Sequence, residues 1–155
     1  MKTLLRTAAL FLMFSLLLPA VALSHCEIPC GIYDDRTRIT LLNEHIATIE
    51  KSMDQIVSLS AEGDKNYNQL VRWVTNKEDH ADKFMEIVTQ YFMTQRIKPA
   101  DPSDNESFDR YQESLRLLHE MLVHAMKCKQ TTDKAHTAKL SELVDKFANL
   151  YFEQQ

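Results

Sequence analysis

From Ile39 onward, apolar residues recur at alternating steps of three and four: Ile39, Leu42, Ile46, Ile49, Met53 and Ile56. That spacing draws one apolar stripe along a helix. Gly63 lies just past its end, where helices commonly stop. Tyr67, Leu70, Val74, Ala81, Phe84, Val88 and Tyr91 carry a second stripe. Asn76 could break it, and Thr75 with Glu78 would make a capping box for a new start. The phase survives across Asn76, so one long helix over about residues 65–96 is expected. Residues 98–107, with Pro99, Pro102 and a Ser-Asp-Asn run, read as a loop. Phe108, Tyr111, Leu115, Leu118, Leu122 and Met126 predict a third helix. Thr131, Thr132 and Asp133 are helix starters, and Leu140, Val144, Phe147 and Tyr151 mark a fourth helix. Four amphipathic helices with short connections predict an all-α, antiparallel up-down four-helix bundle over residues 37–155. The stripes read as core, with Phe84, Phe147 and Trp73 packing rather than holding a cofactor.

Residues 1–24 stand apart from this pattern. Lys2 and Arg6 give a positive start, and residues 8–21 are almost wholly apolar, with Pro19 interrupting the run. The run is short for a membrane span, and Ala22 and Ser24 place small residues before a cut. Residues 1–24 are therefore expected to be a signal peptide, removed after Ser24 by signal peptidase, and the protein to be exported, periplasmic or secreted. The competing expectation is an uncleaved membrane anchor; after cleavage no membrane association is expected. Among the 155 residues, only two Gly and four Pro argue against a turn-rich β fold. The formal net charge is −4, and loss of Lys2 and Arg6 makes it −6. Neither value suits a general nucleic-acid binder.

The unusual chemistry lies in residues 25–36, HCEIPCGIYDDR, which lack a helical period. Cleavage would give His25 a free α-amine beside its imidazole. Cys26 would add a thiolate and its backbone amide nitrogen, and Cys30 a second thiolate. Pro29 fixes φ and Gly31 permits unusual φ, so the segment can curl into a hook. Zinc prefers a tetrahedron of side-chain ligands. Two nitrogens and two sulfurs in a plane suit Ni(II) or Cu(II), and because thiolates tend to reduce Cu(II), nickel is the better candidate.

The string His25-Cys26-Glu27-Ile28-Pro29-Cys30-Gly31-Ile32-Tyr33 resembles the His-Cys-x-x-Pro-Cys-Gly-x-Tyr nickel hook of the nickel superoxide dismutase family. The residues 25–155, the helix count and the Lys98-Pro99 loop also fit. The resemblance implies disproportionation of superoxide to dioxygen and hydrogen peroxide by Ni(III)/Ni(II) cycling, with one nickel ion per chain. It implies His25, Cys26 and Cys30 as metal ligands, the His25 imidazole being axial and dissociable, and His25 and Tyr33 as catalytic residues. Glu27, Pro29 and Gly31 would shape the hook and its access. Tyr91 would partner Tyr33. Family members can hold the axial imidazole with an early glutamate of the first helix; none stands at residues 40–42, and Glu44 is the nearest acid. The family forms homohexamers, so a homo-oligomer is implied.

Two other readings of function are weighed beside this one. An exported, non-catalytic transition-metal-binding bundle would hold nickel or copper without turnover. A secreted interaction module with a Cys26–Cys30 disulfide would hold no metal. Cys128, between Lys127 and Lys129, reads as a lone surface or partly buried thiol. His45, His80, His119, His124 and His136 read as solvated or core residues: His119 and His124 are five apart, not four, and no Glu-x-x-His pair is present. Arg36 or Arg38 could supply local attraction for an anion, against a plainer role as solvated helix-start residues.

Overall fold

The computed structural model of the chain describes residues 31–153. Gly31–Tyr33 belong to one unit, and Asp34 opens the unit that holds the bundle. Helix α1 runs over Asp35–Ser60, beginning two residues before the expected start of the bundle at residue 37. Asp34 is the reason. Its carboxylate accepts the Thr37 N–H at 2.9 Å, satisfying a first-turn donor that has no partner within the helix. Gly63, at φ +74°, begins a short 3₁₀ turn over Gly63–Asn66 that reverses the chain. Helix α2 follows over Tyr67–Glu86 and continues without a break as a π-helix, Ile87–Arg96. Helices α3 (Asn105–Gln130) and α4 (Ala135–Phe152) complete the fold, and no described residue is in a strand.

Cross-links between side chains give the directions. His45 meets His80 and Ser52 meets Asn76, so α1 and α2 run antiparallel. Thr137 donates to Glu50 and Tyr151 to Asp35, so α4 runs antiparallel to α1. Lys77 meets the end of α3 while Phe92 lies in the same core, and His124 meets His136 across the α3–α4 turn. The up-down four-helix bundle expected from periodicity is the fold observed, with each helix packed on its sequence neighbours and α4 closing on α1.

Leu42, Ile46, Ile49 and Met53 of α1 and Leu140, Val144, Phe147 and Tyr151 of α4 are buried as expected. Two stripes needed correction. Tyr67 and Val74 are exposed, because the first half of α2 turns its apolar side outward. In α3 the buried face is Ser114, Leu117, Leu118, Met121, Ala125 and Cys128. That face is turned by roughly 100°, one residue's step, from the one drawn by the largest side chains. The small Ser114, Ala125 and Cys128 share it with Leu117, Leu118 and Met121, and Met126 is left exposed. Asn76 does not break α2, because its amide donates to the buried Ser52 hydroxyl at 2.9 Å. Asp133 caps α4 by accepting the Ala135 N–H at 2.9 Å.

One buried charge organises the far end of α3. The Lys77 ammonium, 4% exposed, donates to the carbonyls of Cys128 at 2.7 Å, Lys129, and Thr131 at 3.4 Å. These carbonyls have no partner within the helix, and a cation there also meets the negative end of the helix dipole. Replacing Lys77 by Met keeps the aliphatic stem and strands the carbonyls. The Lys77→Met variant is expected to lose about 2 kcal/mol of unfolding free energy, a lost charge-assisted hydrogen bond, read as a lower urea midpoint at unchanged slope.

Candidate metal centre

The chain enters the bundle through Gly31, Ile32 and Tyr33. Gly31 has φ +75°, and a Cβ built there would meet nothing within 4 Å. Glycine is therefore required by the backbone, not by crowding: a side chain in this region costs roughly 1–2 kcal/mol. Ile32 and Tyr33 are exposed, Tyr33 at 40%. His25, Cys26, Glu27, Pro29 and Cys30 lie outside the described residues.

Two residues after Tyr33, Asp35 forms the first turn of α1 and the most heavily used carboxylate of the bundle. Tyr91 donates to its Oδ1 at 2.7 Å and Tyr151 to its Oδ2 at 2.9 Å. Arg96 forks onto both oxygens, Nε at 2.9 Å and Nη2 at 2.7 Å. The carboxylate side chain is 9% exposed. Four donors from the ends of two other helices thus fix where α1 begins, and the positive end of the α1 dipole adds to the stabilisation.

The π-helix makes this cluster possible. In an α-helix, Tyr91 and Arg96 would point about 140° apart. With i to i+5 hydrogen bonding they share a face. The wide turn is visible in side-chain bonds of the same period, Thr94 Oγ1 to the Thr89 carbonyl and Gln95 Nε2 to the Gln90 carbonyl. It also buries both Tyr91 and Phe92, whose rings meet edge to face at 5.1 Å between centroids.

Arg36 and Arg38 are engaged rather than simply solvated. The Arg36 guanidinium lies 4.4 Å from the Phe152 ring centroid and that of Arg38 lies 4.9 Å from the Tyr91 ring. The Arg38 Nε is buried without a hydrogen-bond partner among the described residues. Glu44 is exposed on α1 and its carboxylate makes no ion pair among them.

The donor chemistry of the arm fits nickel. Imidazole and thiolate are the ligand types that borderline and soft first-row ions select. Cys128, the remaining thiol, is wholly buried, which corrects its reading as a surface or half-buried group. Burial pushes its thiol up to about 11, so it is a poor ligand near neutral pH. Among the described residues, no group of three or more His, Cys, Asp or Glu could hold a metal ion. Four of the histidines read as solvated or core residues are instead paired across helices, His45 with His80 and His124 with His136, while His119 is exposed.

Sequence reasoning singled out Tyr91, as a partner of Tyr33, but not Asp35, Arg96 or Tyr151, with which the structure joins it. The available signal was an acid at a helix start, with an arginine and a tyrosine closing two later helices. Burial raises the Tyr91 and Tyr151 hydroxyls above the ordinary tyrosine value of 10, Tyr151 to about 12. A raised value in the folded state gives stability that is complete below the unfolded value and lost as pH rises through the folded one. The urea midpoint is therefore expected to fall between about pH 10 and pH 12, and to fall less steeply in Tyr151→Phe. Asp35→Asn is expected to cost about 3 kcal/mol, because it removes the charge that Arg96, Tyr91 and Tyr151 share. Faster amide exchange over residues 36–40 would accompany it.

The sequence model of the nickel-containing superoxide dismutase family matches residues 20–155. No curated protein and no solved structure matches the chain. The family match takes in the whole bundle, the Asp35 cluster and the arm with its two thiols, and the chain belongs to the nickel-containing superoxide dismutase family.

Proposed function

We propose that this nickel-dependent superoxide dismutase becomes active when signal peptidase removes residues 1–24, and that the newly freed α-amine of His25 then serves as a metal ligand. The His25 imidazole and the thiolates of Cys26 and Cys30 complete the side chains that hold one nickel ion per chain. The observation that carries this reading is the nine-residue string His25–Tyr33, placed directly behind a leader-like segment with a small residue at its end. Bound nickel supplies the one-electron couple that takes an electron from one superoxide and returns it to the next, giving dioxygen and hydrogen peroxide. Family membership favours this dismutase over the non-catalytic carrier.

The chain's own residues do the rest. The thiolates and the Cys26 amide nitrogen concentrate negative charge on the donor set, which favours the higher oxidation state. The Tyr33 phenol carries a donor O–H suited to a small anion, and its ring limits the size of what approaches. Pro29 and Gly31 set the turn, and Glu27 sits between the thiols on the chain. Tyr91 acts as a positioning residue, because its hydroxyl is committed to Asp35.

Export follows from the leader, and assembly into homohexamers from the family resemblance. An apolar stripe on the bundle supports assembly: Tyr67 is 63% exposed, Val71 62%, and Val57 of α1 56%. Tyr67, Val71 and Val74 recur at helical spacing on one side of α2, the pattern of a buried face.

N-terminal sequencing of the purified protein with metal analysis is expected to return His25 and about one nickel per chain, by the donor count proposed. Protein that retains Ser24 is expected to lose dismutase activity; full activity with Ser24 in place overturns the reading. Tyr33→Phe is expected to keep nickel and lower kcat/KM on the order of tenfold, or about 1.4 kcal/mol. Loss of nickel in that variant would instead make Tyr33 a structural residue of the hook.

A further inference from the structure

Two helices of the bundle each present an imidazole to the other at a spacing that a metal ion could use. His45 of α1 and His80 of α2 bring their Nδ1 atoms within 2.9 Å, with ring centroids 5.0 Å apart and planes at 68°. Metal–imidazole bonds are about 2.0–2.1 Å long, so two such bonds meeting at 90–110° need a nitrogen separation of roughly 2.9–3.4 Å. We propose that His45 and His80 form a second site for a borderline divalent transition ion of the nickel, copper and zinc class, separate in its ligands from the hook residues.

The pair as it stands holds one proton between two nitrogens, so one ring donates from Nδ1 and the other accepts. A cation can replace that proton without net proton release: the donor ring carries its hydrogen on Nε2 instead. Both rings are half-buried, leaving room for water to fill the remaining positions. Among the described residues, no third ligand completes a cluster, so the site is a two-imidazole chelate.

The charge around the pair is mixed. The Lys83 ammonium acts on both rings more strongly than the Glu44 or Asp79 carboxylate that opposes it. Burial, then the neighbouring ring and Lys83, lowers His45; burial and Lys83 lower His80. Both rings are thereby kept neutral near pH 7, the form that binds metal. His124 and His136 offer a built-in comparison. Their Nδ1 atoms are 3.2 Å apart, but the ammonium groups of Lys127 and Lys139 face His124. The one carboxylate there, Glu120, is already bridged to Arg116. Similar spacing with two ammonium groups close by, against one at His45 and His80, makes this pair the weaker chelate.

The test is titration of the full-length, nickel-loaded protein with Zn(II), followed by calorimetry and by ¹⁵N spectra of the histidine rings. One further zinc per chain is expected to perturb the His45 and His80 Nδ1 resonances, with affinity at least tenfold weaker in either His45→Gln or His80→Gln and retained in His136→Gln. Ring spectra of the unsubstituted protein decide the matter even where a variant fails to fold. Zinc that leaves both Nδ1 resonances unmoved overturns the proposal, as does a further zinc that survives both His45→Gln and His80→Gln.

Discussion

Asp35 ties the start of α1 to the ends of two other helices, and much of what is specific to this bundle can be traced to it. A carboxylate taken from water is costly unless its lone pairs are met. Here Arg96, Tyr91 and Tyr151 supply four donors. Satisfying that charge requires Tyr91 and Arg96 on one face, hence the π-helical close of α2. It also requires Tyr151 at the end of α4, hence the direction of the last helix. A generic bundle could be held by apolar stripes alone. This one fixes the point at which α1 begins.

The other buried polar contacts share this logic. Lys77 closes the end of α3, and Asn76 with Ser52 bridges α1 to α2. Each sits where apolar packing alone would tolerate a slide or rotation of one helix against another. Together they select one register among several that the stripes permit.

The helical order was legible because the apolar period is strong in α1 and α4, and because Gly63 and Asp133 punctuate the chain where turns occur. The α3 face was not, because Ser114, Ala125 and Cys128 define it, and residue size misleads when small groups permit close approach. The outward side of α2 was not legible either: Tyr67 and Val74 look like core residues until the partner helix proves to end short of them. The motif of residues 25–33 was plain as a string, since its fixed positions are nearly contiguous. The Asp35 cluster and the histidine pairs join residues 35 to 116 positions apart, or 12 across one turn, and only the topology brings them together.

The burial of Cys128 bears on how long such an enzyme survives. Hydrogen peroxide, a product of the dismutation, attacks thiolates. With its thiol raised to about 11, Cys128 is ionised in roughly one molecule in ten thousand at neutral pH, and no solvent reaches it. The thiol that the bundle encloses is thereby shielded from the enzyme's own product.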